Sequence, residues 1–400
     1  MIERLPESFL DQIDAEAMLN QVISWSAINT GTSNLDGLAN QALELANAFS
    51  VLPGDIKMVD AAKVSSIDHQ GIEIDKPHGQ HMVLSVRPKA SHRLLLTGHM
   101  DTVFPSNHYF QNQVWIDAQT LNGPGVADMK GGLAVILHAL LAAEKYGNIS
   151  FLGYDVLINS DEETGSLSSA KLIENLAHGK LAAFTFEPAV LPDGTLAYER
   201  GGTGNYSLTF IGKSAHAGRN PEDGRNAIVA IADLVLRIKN LEKSDIRINP
   251  AKVDGGSANN VVPDSAVLRF NVRPKTQKAM GIFELGLKNI ISDIEKEHDL
   301  KIHCHGGPTR PPKVVDKRTR KLFDLVKSCG SELGQVINWQ STGGVCDGNN
   351  IASCGVPVVD TMGVRGGAIH SSDEFLIVPS LIERAALSAL VISSIANGGF

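Results

Sequence analysis

Seven side chains able to bind a cation or move a proton fall just after apolar, strand-like runs: His99, Asp101, Asp128, Glu162, Glu163, Glu187 and His370. Imidazole with carboxylate suits Zn²⁺, whereas an all-oxygen set would suit Mg²⁺ or Ca²⁺. His99 and Asp101 lie two apart on an extended segment and point the same way. His99 can therefore bind metal while Asp101 takes its other ring N–H and fixes the tautomer. Glu162 and Glu163 are adjacent and point in different directions. One can bind metal while the other faces a water and takes its proton. Asp128 sits in Gly123-Pro124-Gly125-Val126-Ala127-Asp128-Met129-Lys130-Gly131-Gly132, a glycine-rich turn ahead of an apolar helical run from Leu133. A short carboxylate there can approach a cation closely, or it can cap the helix. Two cations about 3.5–4 Å apart, bridged by a carboxylate, are a common hydrolytic arrangement.

Such a set needs elements that bring distant residues to one edge. Met82–Arg87, Arg93–Thr97, Tyr154–Asn159 and Ala182–Glu187 read as strands. Ala15–Val51 reads as helices broken at Thr30, and further helices are expected over Leu133–Tyr146 and Ser168–Leu176. This alternation predicts an α/β sheet whose strand ends gather the polar groups. Beyond Gly201 the pattern changes to β-α-β-β-α-β, the order of a ferredoxin-like split unit. Gly306-Gly307-Pro308-Thr309-Arg310-Pro311-Pro312 reads as a hinge or linker, and helix and strand alternate again from Asp316. The expected organisation is a catalytic domain in two parts, 1–200 and 311–400, with 201–310 inserted between them.

The bulk properties narrow the function. Four hundred residues, 43% hydrophobic, fit more than one domain with a substantial core. A net charge of −8 with scattered basic residues argues against nucleic acid as a partner. No run of about 18 apolar residues is evident, so no membrane span is expected. Met1–Ser8 has no signal pattern. The four cysteines (Cys304, Cys329, Cys346 and Cys354) lack CxxC spacing, which reads as reduced thiols in the cytoplasm.

Gly98-His99-Met100-Asp101, the turn around Asp128, Asp161-Glu162-Glu163 and Ser214-Ala215-His216-Ala217-Gly218 resemble the motifs of the M20 metallopeptidases. Within that family the chain is most similar to the carboxypeptidase G2, or glutamate carboxypeptidase, group. The resemblance implies a zinc-exopeptidase-like α/β domain with an inserted ferredoxin-like α+β dimerisation (lid) domain. It implies two Zn²⁺ per subunit, with Co²⁺ or Mn²⁺ as substitutes. Asp128 would bridge, His99 and Glu187 would complete one site, and Glu163 and His370 the other. Glu162 would be the general acid/base, Asp101 would orient His99, and the Asp128–Met129 peptide bond would be cis. His216 would serve the partner's site across a homodimer and stabilise the oxyanion. Asn260, Arg273, Gly343 and Gly344 would bind substrate, Arg273 by clamping a carboxylate. The family commonly has Thr/Ser-Asp where this chain has Cys346-Asp347, and Cys346 reads as a pocket-lining residue.

The implied activity is cleavage of an amide beside a free carboxylate in a small peptide, as by a glutamate carboxypeptidase. The alternative is an N-acyl amino acid deacylase such as acetylornithine deacetylase. A non-catalytic metal-binding scaffold is the reading of another class. Its mark would be loss of Glu162 or of a ligand, and all are present.

Overall fold

The computed structural model describes residues 13–400. The reading of Met1–Ser8 lies outside the described residues. The chain forms two compact units. One takes the chain up to Ala62, Pro77–Glu199 and Lys313–Phe400, and the other takes Lys63–Lys76 and Arg200–Pro312.

The first unit is built on a six-stranded sheet. Its order is Asp55–Val59, His81–Val86, Gly153–Asn159, Arg93–His99, Ala182–Thr185 and Val358–Asp360. The last four run parallel, and the first two pair antiparallel. Every residue of Gly153–Asn159 is buried, as a central strand covered on both faces requires. Side chains alternate across the sheet. Leu94 and Leu96 join the core of the Gly131–Tyr146 and Ser380–Ala396 helices, while Leu95 packs with Ile173 and Ile351 on the opposite face. In register, His99 lies opposite Asn159 and Thr97 opposite Thr185. The parallel strands therefore end together, and the segments that follow them share one edge.

The expected helices form, with caps that explain their starts. Asp14 accepts from Ala17 N ahead of Ala15–Ser26, and Asn34 accepts from Gly37 N ahead of Leu35–Phe49. The apolar helix begins at Gly131, two residues earlier than the apolar run suggests. Val126–Tyr146 is long and apolar enough to span a membrane by length and composition alone. Its most apolar window is 94% buried inside the protein, where it serves as core.

The second unit is a four-stranded antiparallel sheet ordered Ile246–Gly255, Ser265–Pro274, Thr203–Ile211 and Lys301–Arg310. Helices Ala227–Lys239 and Gln277–Glu297 pack on it through Leu234, Phe283 and Leu287. The element order is the split β-α-β-β-α-β read from the sequence. Two boundaries differ. The hairpin Ser65–Ile67 and Glu73–Asp75 belongs to this unit, because Arg269 donates to the Ile67 and Asp68 carbonyls. The last strand also runs on through the glycines read as a linker. Gly306, at φ 93°, lies where a Cβ would meet Asn205 O at 2.2 Å, so glycine permits close pairing there. Pro308 is tolerated because this strand is an edge.

Candidate active site

The edge of the parallel strands carries the predicted cluster. His99 ends its strand and is buried. Its Nε2 lies 3.1 Å from Asp128 Oδ1 and 3.7 Å from Glu187 Oε2. The other Asp128 oxygen faces the second histidine. His370 Nε2 is 3.3 Å from Asp128 Oδ2 and 3.2 Å from Glu163 Oε2. One carboxylate thus serves two imidazoles, each of which has its own glutamate. Ligand atoms of His99, Asp128 and Glu163 lie within 4.8 Å of one another, as do those of His99, Glu162 and Glu187. Glu162 is mostly buried at the start of the short Glu162–Thr164 turn.

Local structure explains these placements. Asp128 does not cap the helix, because Lys130 occupies the N-cap position. It lies instead in the irregular turn Val126–Lys130, and the Asp128–Met129 peptide is cis, as the resemblance implied. Lys130 is buried and donates to the Trp25 and Ile28 carbonyls at 2.9 Å each, tying the turn down. Burial pushes its amine down to about 7. Gly132 lets the helix backbone lie on the end of the Ala182–Thr185 strand. A Cβ there would meet Phe186 O, next to Glu187, at 2.1 Å.

Asp101 differs in detail from expectation. His99 Nδ1 lies 3.0 Å from the Asp101 main-chain oxygen and 3.4 Å from its carboxylate. The carboxylate is already engaged by Thr32 Oγ1 at 2.7 Å and by the N–H groups of Glu162 and Glu163 at 3.1 and 3.2 Å. Asp101 therefore orients the imidazole chiefly through its backbone, and its side chain holds the turn that presents both glutamates.

The electrostatics are those of a site rich in negative charge. Hydrogen bonds to Asp128 and Glu163 raise His370 to about 11. Burial opposes protonation of His99, yet Glu187, Asp101 and Asp128 together raise it well above the ordinary value. Burial, then the neighbouring Asp128, pushes Glu163 up to about 7. Burial works against an ionised Asp128, but His370 and His99 hold its carboxyl well below the usual range. Such a cluster favours positive charge at its centre. The two imidazoles and their carboxylates are the donors that suit zinc, and the two-sided Asp128 fits a pair of cations.

The other predicted residues are dispersed. Gly343 and Gly344 are exposed, in the first unit. His216, Asn260 and Arg273 lie on the second unit. There, His216 pairs with Val261, and Ala217 N donates to Asn260 O, so His216 and Asn260 are neighbours. His216 Nδ1 accepts from Gly218 N at 3.1 Å, so the neutral ring carries its hydrogen on Nε2. Arg273 Nε donates to Asn271 Oδ1 at 2.7 Å. Burial and the adjacent Arg310 lower the Arg273 pKa. Cys346, read as lining a pocket, is buried as the N-cap of Asp347–Ser353, with Sγ 3.7 Å from Asp360 Oδ2.

Two residues were missed. Glu374 is buried against the Asp128 turn, and Asp347 against the Glu162 turn. Glu374 follows His370 by four positions, but neighbouring Asp373 offered the same chemistry. Asp347 sits in a recognised motif without a charged neighbour to suggest a partner.

Residues 95–394 match the profile of Peptidase family M20/M25/M40. The chain belongs to this family. It is 30% identical over 381 residues to carboxypeptidase G2 of Pseudomonas sp. (strain RS-16), covering 93% of this chain and 87% of that one. It is 26% identical to a succinyl-diaminopimelate desuccinylase of Wolinella succinogenes, over 85% and 95% of the two chains. A tripeptidase structure from Staphylococcus aureus superposes with a TM-score of 0.75 at 23% identity, covering 96% of this chain and 99% of that one. As a member of the M20/M25/M40 family, the protein is a metal-dependent hydrolase.

Proposed function

We propose that this hydrolase is a two-zinc amidohydrolase cleaving an amide bond beside a free carboxylate, as a glutamate carboxypeptidase does. The observation that carries the reading is Asp128, whose Oδ1 faces His99 and whose Oδ2 faces His370. His99, Asp128 and Glu187 would hold one cation, and His370, Asp128 and Glu163 the other. Zn²⁺ there, or Co²⁺ or Mn²⁺ in its place, would polarise the scissile carbonyl and make a bound water more acidic. Glu162 takes the proton from the attacking water and passes it to the leaving nitrogen. Asp101 holds the Glu162 turn and the His99 ring in register for that transfer.

The second unit supplies substrate recognition. The Nε2–H tautomer of His216 is the one that can donate to an oxyanion. Asn260 beside it adds an amide. Arg273 clamps a carboxylate, and the like charge of neighbouring Arg310 favours an acidic amino acid there. Gly343 and Gly344 are the substrate-binding residues of the first unit in this reading. His216 acts across a homodimer on the partner's site. Exposed Leu236, Ile282 and Leu285 on the helices of the second unit support such an interface. The four cysteines, which lack CxxC spacing, support a cytoplasmic location.

The N-acyl amino acid deacylase is the second reading, since the same groups would hold that substrate. A non-catalytic scaffold is disfavoured because Glu162 stands with the complete donor set. Metal analysis coupled to a screen of glutamyl dipeptides, aroyl glutamates and N-acyl amino acids tests the proposal. Zinc-dependent release of C-terminal glutamate is expected. Preference for N-acetylornithine-type compounds would select the deacylase. No turnover of any amide by the zinc-loaded chain would overturn both.

A further inference from the structure

We propose that Glu374 is a positioning residue whose carboxylate fixes the Gly125–Asp128 turn, so that the two Asp128 oxygens face two cations at once. The inference rests on the two-metal reading above. Glu374 is 1% exposed. Its Oε1 accepts from Ala127 N and Asp128 N, both at 3.0 Å, and its Oε2 accepts from Gly125 N at 3.2 Å. Three main-chain donors from one four-residue stretch thus converge on one side chain from the far end of the sequence.

The stretch needs an outside partner. Its backbone is irregular, with Gly125 left-handed at φ 71° and Asp128 and Met129 away from helical angles. Regular helical bonding cannot satisfy the N–H groups that precede the Gly131–Tyr146 helix. Buried donors without acceptors are costly, and a carboxylate that accepts three of them sets where the backbone runs. The Asp128 side chain has few rotatable bonds, so fixing its backbone fixes the directions of Oδ1 and Oδ2.

Glu374 also ties Asp128 to His370. Its main-chain oxygen accepts from Asn122 Nδ2 at 2.7 Å and from Gly123 N at 3.3 Å. Phe375 pairs with Asn122 in the adjoining strand. The segment that carries His370 is thereby fastened to the segment that carries Asp128. Glu374 reaches Asp128 through its main-chain N–H, so it acts through the turn.

The test is a zinc titration, not a rate. Chelator-stripped wild-type and Glu374→Gln proteins are titrated with ZnCl₂ against a competing zinc indicator, and apo thermal unfolding is measured in parallel. Gln keeps the size but sets an NH₂ against one backbone donor. Wild type is expected to take up two equivalents. In E374Q the weaker equivalent is expected to bind about 10–100-fold less tightly, the range seen when groups supporting a ligand are changed. Glu374→Asp keeps both acceptor oxygens but reaches less of the turn, and should fall between the two. If E374Q does not fold, E374D decides by the same comparison. Two zinc constants in the ratio found for wild type, even with a lower apo melting temperature, would overturn the inference and leave Glu374 a purely structural buried acid. A wild-type chain that fails to bind a second equivalent would overturn the two-metal reading itself, and this inference with it.

Discussion

Asp347 accepts a hydrogen bond from Asn159 Nδ2 at 2.8 Å, and both side chains are buried. Its other oxygen accepts from Ser166 Oγ. Asn159 ends the central strand, and Ser166 follows the turn bearing Glu162 and Glu163, so one carboxylate grips both ends of that turn. Asp347 also begins the helix that follows Gly343 and Gly344. Replacing it with Asn presents a donor where a donor already points. Asp347→Asn should lower kcat about 100-fold through a small misplacement of Glu162. Zinc content should stay at the wild-type level. Steady-state kinetics with metal analysis checks this, and an unchanged kcat would contradict it.

Glu162 is the base in the proposed mechanism, and its carboxylate lies within 4.8 Å of the His99 and Glu187 ligand atoms. Glu162→Gln keeps the shape and removes the proton acceptor. Turnover should fall by about 10²–10⁴, the usual contribution of a positioned acid–base group. Zinc stoichiometry should not change. Wild-type turnover would remove Glu162 from the mechanism, and loss of zinc would make it a ligand.

Lys313 Nζ lies 2.9 Å from Asp360 Oδ1, and both side chains are fully buried. Asp360 ends the last parallel strand, and Cys346 Sγ faces its other oxygen. Removing one member of such a pair leaves a charge in a medium that solvates it poorly. Lys313→Met should destabilise the protein by about 3–5 kcal/mol, while the double change Lys313→Met with Asp360→Leu should recover part of that loss. Urea unfolding of both variants tests this. A double variant no more stable than the single one would refute it.

The sheet and the seven-residue cluster were legible because their causes are local. Apolar runs such as Arg93–Thr97 and Tyr154–Asn159 specify strands, and parallel strands bring their ends to one edge whatever the loops between them do. His99, Glu162 and Glu187 could be read from position alone. Glu374 and Asp347 could not, because their partners are backbone N–H groups and an asparagine with no pattern of their own. The hairpin at Ser65–Asp75 was missed for a similar reason: its strands are three residues each, and a single arginine, Arg269, attaches it. Gly306 was misread because a glycine that permits close strand pairing looks, in sequence, like a glycine that permits a hinge.

His138 gives the stability of the fold a pH dependence separable from the site. It lies on the Gly131–Tyr146 helix, is 8% exposed, and its Nε2 sits 3.0 Å from Gln21 Oε1. Burial lowers its pKa, and the charge of Asp14 offsets this only in part. The unfolded chain therefore takes up a proton at a higher pH than the folded chain does. Above the ordinary histidine value of about 6.5 both states are neutral and the residue adds no slope. As pH falls through that value toward the lower folded pKa, the unfolded state gains a proton first, and stability is lost. His81 is also buried with a lowered pKa and contributes a slope of the same sign. His138→Gln should therefore remove part of the loss and not all of it. Unfolding free energies of chelator-treated protein between about pH 7.5 and about pH 5.5 should fall less in the variant than in wild type. Equal losses in the two proteins would show that His138 does not carry this component.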